Sequence, residues 1–281
     1  MLRLGEYTHV RGTTRRWRSH RESIALVPTM GFLHQGHLRL IEWARQQCAR
    51  VVVSLFVNPT QFGPEEDLAA YPVDLERDAA LLDQANVDLL YAPDVREMYA
   101  PTHSTWVVEE QVGCGLCGAS RPDHFRGVAT VVCKLLHRVE PDIAVFGEKD
   151  WQQLAVLRRM VRDLDFAVQI VGRPIVREMD GLALSSRNTY LTASERAQAP
   201  ALYAGLVVMR DAVATGQQDA AVLQRKALDL LRKRMPLGVV EYVQIVDPES
   251  LQPLETVQGP ALAVAAVRLG KARLIDNLRL R

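Results

Sequence analysis

A chain of 281 residues, 48% hydrophobic and 24% charged, is long enough to bury a sizeable core in one or two domains. Its formal net charge of +1 argues against a dedicated nucleic-acid binder, which needs a basic excess to track phosphates. Its longest apolar runs fall far short of a bilayer span, so no membrane partner is expected.

Arg3, Arg11, Arg15, Arg16, Arg18 and Arg21 read as the solvated face of a first helix rather than a transit peptide, because an apolar strand follows at once at Ile24–Val27. Pro28 stops that strand and Thr29–Gly36 turns. From His37 the spacing is helical, with Leu40, Ile41, Ala44 and Cys48 on one side. His34 and His37 therefore stand where a strand end meets a helix N-terminus. Gly31 and Gly36 lack a Cβ, so something bulky can approach the backbone closely, and free N–H groups at a positive helix end predict an anion site. Two imidazoles beside an anion site suggest phosphate chemistry. Half of a metal site is the alternative, but no Cys or carboxylate cluster stands nearby and no metal ligands are assigned.

Val51–Val57 is a β-branched run that predicts a strand buried on both faces. It leads into the turn-rich Asn58–Pro64, where Asn58 and Gln61 are candidates for substrate contacts, because loops at the carboxyl ends of parallel strands line the ligand crevice. Asp74–Ala85 has helical spacing, Val87–Tyr91 reads as the next strand and Thr105–Glu109 as an edge strand. The loop Gly113–Gly127, carrying Arg121, His124 and Arg126, is either a mobile flap or a packing or subunit contact. Gly127–His137 predicts a helix, Asp142–Phe146 a strand, Trp151–Leu164 a helix and Ala167–Val171 the last strand of the run. Strands alternating with helices imply parallel pairing through right-handed crossovers. Gly147-Glu148-Lys149-Asp150 repeats the opening strand–glycine–helix pattern, with Lys149 placed as a point charge for a phosphate and Gln153 one turn further on.

Near residues 175–180 the character changes. Arg177–Asn188 reads as a loop bearing hydroxyls and an arginine. Ser194–Thr215, with Ser194 as N-cap and Pro200 marking a break or late start, and Asp219–Arg234 read as helices. Val239–Val246, Ala261–Leu269 and Arg273–Asp276 read as strands. The fold class is α/β: a parallel sheet flanked by helices, followed by a smaller α+β domain, with the boundary near residues 175–180. Cys48 and Cys133 read as small core residues. Cys114 and Cys117 form one C-x-x-C without the second pair that a zinc site needs, and four cysteines fit a reducing cytoplasm.

The blocks VPTMGFLHQGH, SLFVNPTQF, SRPDHFRGVAT, FGEKDWQQL, DGLALSSRN and ARLIDN occur in the order characteristic of one family. The chain resembles the pantothenate synthetases (pantoate–β-alanine ligases), within the H-x-G-H nucleotidyltransferase superfamily, over nearly its whole length. It departs from the usual family pattern at Arg39, Ala70 and Asp123. The resemblance implies ATP-dependent condensation of (R)-pantoate with β-alanine to pantothenate, AMP and pyrophosphate, with Mg2+, in a cytoplasmic homodimer whose chain has a Rossmann-like ATP- and pantoate-binding domain over residues 1–176 and a small α+β lid domain over 177–281. It implies ATP contacts at Met30, Gly31, Phe32, Leu33, His34, Gln35, Gly36, His37, Gly147, Glu148, Lys149, Asp150, Val176, Leu184, Ser185, Ser186 and Arg187, and substrate contacts at Gln61 and Gln153. The expected catalytic set is His37, His34, Lys149 and Arg187: the imidazoles at the α-phosphate, Lys149 at phosphate or the shared oxygen, and Arg187 with Ser185 and Ser186 closing over the outer phosphates. The alternative is a related nucleotidyltransferase that adenylylates a phosphate acceptor.

Overall fold

The computed structural model describes residues 1–64 and 66–281. They form two compact units, Met1–Glu148 with Gln152–Pro174, and Lys149–Trp151 with Ile175–Arg281.

The first unit is built on a six-stranded sheet in the order β1-β4-β3-β2-β5-β6, parallel throughout. Its strands are β1 (Leu2–Leu4), β2 (Ile24–Thr29), β3 (Arg50–Leu55), β4 (Leu89–Tyr91), β5 (Ile143–Gly147) and β6 (Gln169–Arg173). Helix α1 spans Tyr7–Ser19, α2 Gln35–Gln47, α3 Leu75–Gln84, α4 Val95–Met98, α5 Cys117–Ser120, α6 His124–Val139 and α7 Trp151–Asp163. The central strands are apolar on both faces because helices cover both, and Ala25, Val27, Val51 and Val53 pack with Leu40, Ile41 and Ala44 of α2 and Ala79 and Leu82 of α3. On α1, Val10, Thr14 and Trp17 face inward, and Arg11, Arg15 and Arg18 reach Glu140 at the end of α6.

Several boundaries differ from the sequence expectation. The predicted edge strand Thr105–Glu109 does not form; the sheet edge is β1, three residues too short to carry a periodic signal. β3 ends at Leu55 rather than Val57, because Asn58 opens a 3-10 turn over Pro59–Gln61. Helix α2 begins at Gln35, two residues before the predicted start, and α6 begins at His124. Cys48 is the C-cap of α2 and, as expected of a small core residue, packs half-buried against the core of this unit.

The second unit is α+β. Helices α8 (Ala193–Gln198), α9 (Ala201–Ala214) and α10 (Ala220–Arg234) precede the antiparallel sheet β7 (Gly238–Val246), β8 (Leu262–Leu269) and β9 (Ala272–Arg279). Leu202, Leu206 and Met209 of α9 and Leu223 and Leu231 of α10 share a core with Ala263, Ala265 and Val267 of β8. The single helix expected over Ser194–Thr215 is two, since Pro200 lacks the N–H that a continuous helix needs. The cap of α8 is Thr192, not Ser194: Thr192 Oγ1 accepts from Glu195 N, and Thr192 N donates to Glu195 Oε2 at 2.8 Å.

Candidate active site

In the first unit, chain order along the sheet reverses between β2 and β5, since β2 leads to β3 on one side while β5 lies on the other. Such a switch point opens a crevice outside the strand carboxyl ends. The turn Met30–His34 follows β2, Gln61 follows β3, and Gly147 ends β5 with Glu148 after it, so three neighbouring strands deliver these residues to one end of the sheet.

The start of α2 is closed by its own histidines. His34 is the N-cap; its Nδ1 accepts from Gly36 N at 3.1 Å, and His37 Nδ1 accepts from His34 N at 3.3 Å. The rings stack with centroids 4.0 Å apart. Because each Nδ1 accepts a main-chain N–H, each neutral ring carries its proton on Nε2, and each presents an Nε2–H donor at its other edge. A Cβ at position 36 would lie 2.8 Å from the His34 ring. The glycine between the histidines thus lets a bulky group, the His34 imidazole, approach the backbone closely.

The expectation of an array of free amides is corrected. Gly31 N donates to Thr29 Oγ1, Phe32 N and Leu33 N to the Asp78 carboxylate, and His37 N to His34 O. The amides of Gly31, Phe32, Leu33, His34, Gly36 and His37 are thus spent inside the protein, and the side-chain imidazoles and the field of the helix end remain as attractions for an anion. Leu33 has no exposed surface, Gln35 is exposed, and Met30, Phe32, His34, Gly36 and His37 are half-buried.

Met30 Sδ lies 2.8 Å from Gln61 Nε2, which joins the first two loops. Gln61 Oε1 accepts from Asn58 Nδ2, which also donates to Gly127 O, while Asn58 Oδ1 accepts from Tyr99 OH. Asn58 is therefore taken up by the protein on both sides of its amide. Gln61 O accepts from Arg121 Nη2 at 3.1 Å and pairs with His124 Nδ1 at 2.8 Å. Arg121 in turn grips Glu66 at 2.5 and 2.6 Å, so this part of the 113–127 loop is a packing contact. Burial would raise the Glu66 carboxyl, but the Arg121 bonds and charge outweigh it and hold it below the usual range. Glu148 lies over Gly172 of β6, and Gln153 is half-buried on α7. The neighbouring Gln152 is a structural residue, donating to Val112 O and Gly115 O and accepting from Cys117 N. Cys114 is exposed and Cys117 buried, both as free thiols.

The remaining candidates, Lys149, Asp150, Val176 and Leu184–Arg187, lie in the second unit. Lys149 Nζ is 3.8 Å from Asp150, and its carbonyl accepts from Asn277 Nδ2. Leu184 N donates to Val176 O, which brings together the two ends of the 176–184 excursion; Ser185 Oγ then accepts from Arg187 N at the start of a 3-10 turn. Arg177 anchors the excursion: it donates to both carboxylate oxygens of Asp276, at 2.6 and 2.8 Å, and to Gly181 O, and it stacks on Tyr203. Burial raises the Asp276 carboxyl, against the pull of Arg177. Among the described residues no group of three or more His, Cys, Asp or Glu is arranged to hold a metal, and no helix is long and apolar enough to cross a membrane.

Comparison with known proteins matches residues 4–279 to the family described as pantoate-beta-alanine ligase. The chain belongs to the pantoate–β-alanine ligase family. It is 56% identical over 264 residues to the pantothenate synthetase of Oleidesulfovibrio alaskensis, covering 94% of each chain. It is 54% identical over 268 residues to that of Nitratidesulfovibrio vulgaris, covering 95% of each. Among solved structures, pantothenate synthetase from Thermus thermophilus superposes with a TM-score of 0.95 at 49% identity, covering 100% of this chain and 99% of that one. A pantoate–β-alanine ligase from Francisella tularensis, solved with β-γ ATP and β-alanine, superposes with a TM-score of 0.81 at 31% identity over 100% and 98% of the two chains. The chain is thus an enzyme of the ligase class, and its architecture of a parallel α/β sheet plus a smaller antiparallel part is that of the family.

Three residues of this ligase escaped the sequence reading. Asp78 sits in an amphipathic helix where a carboxylate reads as solvent-facing, yet it is fully buried. Asp276 and Asn277 lie within the quoted ARLIDN block, but their partners are about a hundred positions away or more. Short-range periodicity carries no signal for such pairs; only the oddity of Asp-Asn inside an apolar strand hinted at them.

Proposed function

We propose that this ligase condenses (R)-pantoate with β-alanine to give pantothenate, AMP and pyrophosphate through a pantoyl adenylate. A carboxylate resists direct attack by an amine because addition would have to expel oxide. Attack by a pantoate carboxylate oxygen on the α-phosphorus of ATP breaks the bond to pyrophosphate and installs AMP as a leaving group. The β-alanine amine then adds to the acyl carbon, AMP departs, and the amine proton passes to solvent. Holding the reactants in fixed geometry supplies up to about 7–11 kcal/mol in model systems.

The observation that carries this reading is the engagement of both Nδ1 atoms at the start of α2, which leaves Nε2 as the protonated edge of each neutral ring. Donors fixed before the reaction are suited to the charge that builds around the α-phosphorus. His34 and His37 take that role, Lys149 meets phosphate, and Arg187 with Ser185 and Ser186 closes over the outer phosphates. Gln61 and Gln153 bind the hydroxyls and carboxylate of pantoate as neutral amides, which leave the nucleophile its charge. Mg2+ would accompany the triphosphate, held largely by phosphate oxygens and water rather than by a protein cage, and would neutralise phosphate charge. A homodimer in the cytoplasm completes the reading, and four free thiols suit that compartment. The test is an assay with labelled β-alanine, pantoate and ATP. AMP as nucleotide product and pyrophosphate exchange dependent on pantoate are expected; ADP, or exchange without pantoate, overturns the proposal.

A further inference from the structure

The carboxylate of Asp78 is fully buried, and its position is set by what it holds. Oδ2 accepts from Phe32 N at 2.6 Å and Oδ1 from Leu33 N at 2.8 Å. Both donors belong to the turn that ends in the N-cap His34. The turn is one the chain resists: Phe32 has φ +50° and Gly31 φ +89°. A side chain at position 32 disfavours that region, and unsupported strain of this kind relaxes. A Cβ at Gly31 would lie 3.1 Å from Asp78 Oδ2, so the turn is packed directly against the carboxylate. The neighbouring Arg77 completes the support. Its guanidinium lies 3.2 Å from Asp78 Oδ1, donates to Leu33 O at 3.0 Å and sits over the Phe32 ring.

Two parallel N–H donors call for two acceptors, and an ionised carboxylate supplies both through charge-assisted bonds. A serine or asparagine in its place leaves one buried N–H without a partner. We propose that Asp78 is a positioning residue for the ligation: it fixes the Gly31–Leu33 turn and, through the next residue, the setting in which the His34–His37 pair presents its two Nε2–H donors. The inference rests on the ligase reading only for the roles of the imidazoles. Asp78 touches no substrate; it acts through the turn.

The test compares wild type with Asp78→Asn and Asp78→Glu, and with Leu231→Ala as a control destabilised in the other unit's core. Steady-state kinetics and pantoate-dependent pyrophosphate exchange are read beside nitrogen NMR of the histidine rings without substrate. In wild type both rings should carry the proton on Nε2. In Asp78→Asn the His34 and His37 signals should shift towards mixed tautomers. Its kcat should fall by about 10²-fold, as for a small displacement of a reacting group, while KM for β-alanine stays near wild type. Leu231→Ala should lower the melting temperature and leave both kcat and the ring signals unchanged. If Asp78→Asn does not fold, Asp78→Glu, which keeps both acceptors but moves them, is read by the same measurements. Native ring signals and a wild-type kcat in the folded Asp78 variant overturn the proposal, and so does activity lost only in proportion to unfolded protein. Absence of pantoate-dependent exchange in wild type would defeat the ligase reading instead, and the ring tautomers judge Asp78 without it.

Discussion

The rings of His34 and His37 lie 4.0 Å apart, centroid to centroid, with an interplanar angle of 29°, and each uses Nδ1 as a main-chain acceptor. One nitrogen of each ring thus builds the helix start, and in the neutral ring the proton sits on the other. The two tasks are separable by substitution.

Asparagine at position 37 places an acceptor near the site of Nδ1 but has nothing at Nε2. His37→Asn should keep α2 intact, as judged by circular dichroism and melting, and lose about 10²–10³-fold in turnover, the cost of removing one fixed donor from a charge-developing site. Pantoate-dependent pyrophosphate exchange measures it. Wild-type exchange in this variant would remove His37 from the adenylation step.

Gly127 faces the backbone that carries Gln61. A Cβ there would lie 2.3 Å from Thr60 O and 2.8 Å from Gln61 N, with no flexible side chain to yield. Gly127→Ala should destabilise the protein by about 1–3 kcal/mol through overpacking, seen in urea unfolding. It should also raise KM for pantoate more than it lowers kcat, because the displaced residue is a proposed binding group.

The Glu66–Arg121 pair gives a pH dependence with a defined sign. The folded carboxyl is held below its ordinary range, so the unfolded chain binds the proton more readily. The pair's stabilisation is therefore fully present above the ordinary carboxylate pKa and is lost as pH falls through the lowered folded value. Glu66→Gln should be less stable than wild type at neutral pH, and the difference should shrink on acidification. A gap that stays constant with pH would show that the pair does not titrate with folding.

Arg177 neutralises a carboxylate with almost no exposed surface. Arg177→Met should cost about 3–5 kcal/mol, the penalty for leaving a buried charge alone. Burial already raises Asp276, and without its partner it should rise further. The variant should therefore be most stable below the unfolded carboxylate pKa and lose stability as pH rises through the folded one. Asp276→Asn in the same background should recover most of the loss at neutral pH. Denaturation curves at several pH values measure both effects.

Much of this was legible in the chain itself. The central strands announce themselves because burial on both faces demands unbroken apolar runs such as Val51–Val53, and the glycine-punctuated turn before α2 marks the strand-to-helix junction. Thr105–Glu109 has the composition of a strand but pairs with none, since strand formation depends on a neighbour that local sequence does not encode. Pro200 signalled a break without saying on which side the second helix begins. Among candidate site residues, the histidines stood out by their spacing, but not the use of their Nδ1 atoms, and Asp78 did not, because its donors lie 46 and 45 positions upstream.

The triplet Lys149–Trp151 packs with the C-terminal unit although residues 148 and 152 on either side belong to the other. Trp151 donates its indole N–H to Pro248 O and lies under Arg279, while the Lys149 carbonyl is tied to Asn277. Any attempt to graft the C-terminal half of one relative onto the N-terminal half of another at the obvious seam near residue 175 therefore cuts a hidden joint. Such chimeras should assemble well only when the parental triplet travels with the half that holds it.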